Sequence, residues 1–156
     1  MISFHTIDPA RQRKLIIQFR KDSFVASFGH TDDFGSEAAY IKWMSEKVKR
    51  FPNGFVLVWQ GGEPIGQLEL QIKVFQGIQI GYVSLYYLIP SARGKGAGHI
   101  LHEYAMSFFN SCGVKEYHLR VAPSNERARR FYKKSGLVDM YPEFDGKVMR
   151  MKGYVS

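Results

Sequence analysis

Apolar residues recur along this chain with two different periods, and the order in which the periods alternate predicts its architecture. Ile2 to Thr6 reads as a short strand. Asp8-Pro9 then predicts a helix start, with Asp as cap and Pro at the first position, and Leu15, Ile16, Phe19 and Ser23 mark one helical face. Phe24 to Gly35 reads as irregular. Ser36 is placed to cap a second helix with Tyr40, Ile41, Met44 and Val48 inward, ended by Pro52-Asn53-Gly54. Phe55 to Gln60 and Pro64 to Val74 predict two strands joined at Gly61-Gly62. In the second, Leu68, Leu70, Ile72 and Val74 alternate with Gln67, Glu69, Gln71 and Lys73, which predicts one apolar and one polar face. Phe75-Gln76-Gly77 turns into Gln79 to Ile89, apolar or aromatic on both faces and so expected in the middle of the sheet.

The second half repeats the alternation. Ile100, Leu101, Tyr104, Ala105, Phe108 and Cys112 have helical spacing, and Gly113 stops that helix. Val114 to Val121 is the next strand, and Asn125 to Ser135 the next helix. Val138 to Phe144 and Lys147 to Tyr154 form a hairpin about Asp145-Gly146, a preferred type I′ pair. The order is βαα, a three-strand meander, αβα and a hairpin. It predicts one α+β layer structure around a mixed sheet.

Candidate chemistry concentrates where the central strand ends. Leu88-Ile89-Pro90 runs into Ser91-Ala92-Arg93-Gly94-Lys95-Gly96-Ala97-Gly98, and a helix follows. Glycines at 94, 96 and 98 let backbone N–H groups turn toward one point, and a helix start adds unpaired N–H groups and a positive dipole end. Such a loop suits a phosphate or pyrophosphate, with Arg93 and Lys95 beside it. It is not a Walker A loop, because Gly96 follows Lys95 where Ser or Thr is needed. It is not a dinucleotide fingerprint either, because the final glycine position falls on His99 or Leu101.

Arg93-x-x-Gly96-x-Gly98 directly after that strand resembles the acetyl-CoA-binding core of the GNAT-type N-acetyltransferases. A second block, Asn125-Glu126-Arg127-Ala128-Arg129-Arg130-Phe131-Tyr132-Lys133-Lys134-Ser135-Gly136-Leu137, resembles the later motif of the same family. The match runs from about Gly81 to Leu137, with Leu137 where the family more often has Phe. The resemblance implies a single GNAT-like acyl-CoA N-acyltransferase domain over residues 1–156, a mixed central β-sheet flanked by about four helices. It implies an enzyme that moves acetyl from acetyl-CoA to a primary amine by direct transfer in a ternary complex.

It also implies roles. Backbone groups near Leu88 and Ile89 would bind the pantetheine arm as an added strand. Arg93, Gly94, Lys95, Gly96, Ala97 and Gly98 would hold the pyrophosphate, and Asn125 the pantetheine region. Tyr132 would protonate the departing sulfur. Asn125 also reads as an ordinary helix cap and Tyr132 as a core aromatic. Glu69, on the polar face beside the central strand, is the candidate general base, with Tyr86, His118, Glu143 and bulk water as alternatives; an exposed strand residue is the plain reading of Glu69. In this family the first two helices and the last hairpin shape the acceptor pocket. Here these are Asp22 to Tyr40 and Met140 to Lys147, where Asp32, Asp33 and Glu143 among aromatics would suit a cationic amine.

Bulk properties narrow the rivals. The length of 156 residues fits one domain. The net charge of +8 suits CoA phosphates; it also admits a nucleic-acid-binding module, but the basic residues are dispersed and no nucleic-acid motif occurs. A non-catalytic acyl-CoA-binding domain of the same fold is the other rival, and Asn125 and Tyr132 argue against it. Met1 to Lys14 has no apolar core of a signal peptide, no apolar run approaches a membrane span, and the single cysteine, Cys112, has no partner. A reducing cytoplasm is expected. His99 and His102 lack supporting ligands, so no metal is expected. A homodimer is compatible with all of this.

Overall fold

The computed structural model describes residues 1–156, and its element order is the one the periodicities predict. β1 (Ile2–Thr6) precedes α1 (Arg13–Phe28) and α2 (Glu37–Arg50), and the meander β2 (Phe55–Gln60), β3 (Glu63–Phe75) and β4 (Ile78–Leu88) follows. A 3-10 turn at Pro90–Ala92 leads to α3 (Ala97–Ser111), β5 (Glu116–Val121), α4 (Glu126–Lys134), β6 (Val138–Glu143) and β7 (Val148–Tyr154). The strands form one seven-stranded sheet in the order β1-β2-β3-β4-β5-β7-β6. All neighbours are antiparallel except β4 and β5, which α3 joins as a crossover.

Each face of the sheet carries its own core. Leu68, Leu70, Val83, Leu101, Ala105, Phe109, Tyr117 and Leu119 pack on the α3 side. Ile16, Phe19, Met44, Phe55, Leu57, Leu85 and Tyr87 pack on the α1/α2 side. Full burial of one such Leu, Ile or Phe is worth about 1.5–3 kcal/mol. The expected hairpin turn forms: Asp145 and Gly146 have φ of 56° and 81°, and the Lys147 N–H donates to Phe144 O at 3.1 Å. β4 is the middle strand, as its two apolar faces require. No helix is long and apolar enough to cross a membrane.

Two local expectations change. The helix does not start at Asp8-Pro9. There Asp8 Oδ1 accepts from the Ala10 and Arg11 N–H groups, and the Gln12 side chain accepts from the Asp8 N–H, closing a separate turn before α1. At its other end α1 runs on through Phe24 to Phe28 and stops at Gly29, whose φ of 78° gives a left-handed cap. The segment expected to be irregular from Phe24 is therefore partly helix. The second change is larger. The polar row of β3 is not a solvated face: Gln67 and Glu69 are 0% exposed and Gln71 2%, because α1 and α2 cover it.

Gly81 begins the β4–β5 pairing, opposite Tyr117, and lets α3 lie close against the sheet. A Cβ built there would come 2.6 Å from the Phe109 ring. Gly81→Ala is therefore expected to cost about 1–3 kcal/mol through overpacking, read in thermal denaturation as about 2–4 °C per kcal/mol for a chain of this size. An unchanged Tm would show that α3 moves freely on the sheet.

Candidate active site

β4 and β5 pair at only three positions, the last being Val83 with Leu119. At that point the register between β3 and β4 slips from Glu69↔Leu85 to Leu70↔Val83, leaving Ser84 as a bulge. A bulge bends its strand, and beyond it β4 has no partner on the β5 side. The Ile89 N–H donates to Ile65 O across β3 at 2.8 Å. Strand alternation then turns the N–H and C=O of Leu88 and Tyr86 to the unpaired edge. A cavity of about 2400 Å³ runs through the split, lined on one face by Arg20, Tyr82 and Arg120 and on the other by Leu101, Phe131 and Tyr132.

The bulge is fastened from α1 and β3. Arg20 Nη1 donates to Glu69 Oε1 at 2.7 Å and to Ser84 O at 2.9 Å. The Tyr40 hydroxyl donates to Glu69 Oε2 at 2.5 Å, Gln67 Nε2 donates to the same oxygen at 2.9 Å, and Gln71 Nε2 donates to Ser84 Oγ at 3.0 Å. Burial, with the Glu69 carboxylate beside it, pushes the Tyr40 phenol far up, so it stays protonated. Glu69 is thus buried, with both oxygens engaged, and does not line the cavity.

At the far end of β4 stands the glycine loop. Gly94 and Gly96 have φ of 75° and 84°, values that favour glycine. Gly96 heads α3 with no side-chain cap, so the first amides of that helix have no partner within it. Gly98 sits inside the first turn of α3, where its N–H is among the unpaired amides and where a Cβ would meet the Phe131 ring of α4 at 3.2 Å. Ala97 is buried and Lys95 exposed. Arg93 folds back, donating from Nε to Leu88 O at 2.9 Å, with its guanidinium 5.8 Å from the centre of the Tyr87 ring. Ile89 has no free backbone group, because its N–H bonds Ile65 and its carbonyl accepts from the Ala92 N–H.

Asn125 caps α4, accepting from the Ala128 N–H at 3.3 Å, while its Nδ2 donates to Ser27 Oγ at 3.4 Å across the cavity mouth. Tyr132 lies on the inner side of α4 with its ring 6.2 Å from that of Tyr86. Burial pushes the Tyr132 phenol up to about 12. The Tyr86 hydroxyl is buried without a hydrogen-bond partner, and burial holds it protonated too. The split in the sheet therefore has two phenols on its α3/α4 side.

None of the other candidate bases is free. His118 is 0% exposed, accepts at Nδ1 from Arg150 Nη1 at 2.7 Å and donates from Nε2 to Glu116 at 2.6 Å. Burial lowers its pKa, which fits that neutral tautomer. Burial pushes Glu143 up, but hydrogen bonds from Arg120 and Arg150 outweigh it and hold the carboxyl below its usual range. Asp33 faces Lys147 at 3.9 Å, and Asp32 is exposed beside His30, whose Nδ1 accepts from the Asp32 N–H.

Sequence reasoning missed Arg20, Tyr40 and Ser84, which belong to no motif. A charged residue on the apolar side of α1 and an unbroken Gln-Glu-Gln row in β3 were the available signals, since buried polar rows need partners.

The chain matches the profile of the "Acetyltransferase (GNAT) family" over residues 16–137. An uncharacterized N-acetyltransferase of Archaeoglobus fulgidus is 29% identical over 96 residues, covering 60% of this chain and 63% of its own length. One of Methanocaldococcus jannaschii is 27% identical over 100 residues, covering 62% and 43%. The match thus spans less than two thirds of either relative. Among solved structures, Ard1 from Thermoplasma volcanium superposes with a TM-score of 0.78 at 18% identity, over 99% of this chain and 98% of that one. The structure of yncA from Salmonella typhimurium with its cofactor acetyl-CoA gives 0.75 at 16% identity, over 100% and 95%. The residues matched by the family profile include the split strands, the glycine loop and α4, and the chain belongs to the GNAT family of acetyltransferases.

Proposed function

We propose that this protein is an N-acetyltransferase that moves an acetyl group from acetyl-CoA to a primary amine by direct transfer in a ternary complex. The observation that carries the reading is the open edge of β4 beyond Ser84, ending beside the uncapped N-terminus of α3. An extended pantetheine arm fits such an edge as an added strand, bonding the free backbone groups of Tyr86 and the N–H of Leu88, whose carbonyl Arg93 already holds. The amides after Gly96 and the positive end of α3 fit a pyrophosphate, each helix-end contact being worth about 0.3–1 kcal/mol. Gly94 and Lys95 complete the loop. Arg93 acts from behind it, bracing Leu88.

Acetyl-CoA supplies an activated thioester, so much of the rate comes from placing it against the acceptor. Tyr132 is the donor to the leaving sulfur: it is protonated at neutral pH and stands on the cavity wall. Asn125 fixes the start of α4 and hence the height of Tyr132. Glu69 serves as a positioning residue. Its carboxylate holds Arg20, and Arg20 holds the Ser84 carbonyl at the bend. An acceptor ammonium has a pKa near ~10 in water. Arg20, Lys73 and Arg120 line the cavity and disfavour its charged form, so its proton passes to water there.

Four outcomes test these assignments. Acetyl-CoA at a hundred times its Kd is expected to add about 2.7 kcal/mol of stability, read as a rise in Tm that NAD and ATP do not produce. Gly96→Val forces a branched side chain to φ 84° and is expected to weaken acetyl-CoA at least ~10-fold; unchanged affinity would remove the loop from phosphate binding. Tyr132→Phe should leave the acetyl-CoA Kd within about twofold and lower kcat by ~10²-fold, and normal turnover would end its role as acid. Glu69→Gln should lower kcat while leaving the shape of the pH–rate profile unchanged. Loss of the acidic limb in that variant would instead make Glu69 the general base.

A further inference from the structure

On the α1/α2 side of the sheet, α1 and α2 leave one area uncovered, beside the last paired residues of β4 and β5. Tyr82, 6% exposed, stands there two residues before the Ser84 bulge, and Arg120 follows Leu119 directly. The Lys73 ammonium lies 4.1 Å from the centre of the Tyr82 ring. The Arg120 guanidinium lies between two rings, 5.6 Å from that of Tyr82 and 4.8 Å from that of Phe144. Arg150 lies 4.5 Å from the Phe75 ring. Aromatic faces thus hold three cations in fixed positions.

The charges there do not balance. Arg120 Nε and Arg150 Nε both donate to one oxygen of one carboxylate, Glu143 Oε1, at 2.8 and 3.0 Å. Glu116 is taken up by His118. Lys73 forms no ion pair, and neither does Lys47, which lines the same cavity; Lys147 faces Asp33 at 3.9 Å. The Arg120 guanidinium is bonded through Nε to Glu143 and otherwise meets only the neutral Tyr82 hydroxyl, so Glu143 is its one anionic partner. Burial, then Arg120, Lys47 and Arg150, pull the Lys73 pKa down, as expected for a cation among uncompensated cations.

We infer that the acceptor is an amine that also carries an anionic group, a carboxylate or a phosphoryl group, held by Lys73 and the Arg120 guanidinium. This rests on the proposed acetyl transfer and names its substrate class, in place of the cationic amine that the loop acids suggested. The cofactor's pyrophosphate is not the anion in question. Lys73 pairs with Ile80, eight residues before the end of β4, about 26 Å of strand from the glycine loop. An arginine fork matches carboxylate and phosphoryl geometry in two parallel bonds. From Tyr82 to the bulge is about 6–7 Å, so an anion at Lys73 and an amine at Ser84 fit within one small molecule.

Calorimetric binding with matched ligands decides it: 4-aminobutyrate against butylamine, and 2-aminoethyl phosphate against ethanolamine, on the free protein and on the CoA complex. The anionic member of at least one pair should bind tenfold tighter or more and show the higher kcat/KM. Which pair responds distinguishes carboxylate from phosphoryl. Lys73→Gln and, separately, Arg120→Gln should remove that preference while leaving the acetyl-CoA Kd within twofold. Lys73 is exposed, so its variant keeps the test open if Arg120→Gln disturbs folding. Equal binding of the members that lack the anionic group, or a preference that survives both substitutions, overturns the inference. So does weakening of acetyl-CoA by these variants, which would assign the cations to the cofactor's ribose phosphate. Failure of the unaltered protein to bind acetyl-CoA would overturn the acetyltransferase reading instead, since the anion preference is read without it.

Discussion

A guanidinium on the first helix is bonded at once to a buried carboxylate and to the carbonyl at which the central strand bends, and the site depends on that bond. Taking Glu69 out of water costs several kcal/mol, recovered only if its oxygens are well paired. Arg20, Tyr40 and Gln67 supply those pairs. In turn Arg20 takes the Ser84 carbonyl, which the bulge has removed from the ladder. A buried backbone carbonyl without a partner is rarely tolerated. The split between β4 and β5 is therefore a built feature, stabilised from the face opposite α3.

That arrangement divides the cavity. One end is made of backbone: free strand-edge groups, two left-handed glycines and the first turn of α3. The other is made of side chains: Lys73, Arg120, Tyr82 and Phe144. Backbone recognition tolerates sequence change because it asks only for φ and space, as the two uses of glycine illustrate. Gly96 provides a conformation, whereas Gly98 provides room for Phe131 and so sets the distance between α3 and α4.

The sequence made the proposed cofactor end far more legible than the proposed acceptor end for the same reason. Glycine spacing and the Asn125–Gly136 block are local signals, and strand and helix order followed from periodicity alone. The start of α1 was misplaced because Asp8 satisfies a turn with the same hydrogen bonds it would use as a helix cap. Glu69 read as solvated because a polar row on an alternating strand says nothing about what covers it. Here α1 and α2 do, and they come from elsewhere in the chain. Lys73, Arg120 and Arg150 lie on β3, β5 and β7, which the crossover and the final hairpin gather about β4, so no sequence window contains them.

On the proposed reading, the cations at the acceptor end also bear on the missing base. Two arginines sharing one carboxylate and an unpaired lysine beside them repel one another, and a fold arranged for stability alone would pair them. Their surplus field has two consequences for an amine bound beside Ser84. It attracts an anion on the same molecule, and it penalises the ammonium form, shifting the amine toward the neutral state that attacks a thioester. The two act in opposition: the anion holds the acceptor in place, and in doing so offsets part of the field that lowers its amine pKa. With Glu69 buried, Glu143 held by two arginines and His118 bonded at both nitrogens, deprotonation by electrostatics and water is the course these side chains favour.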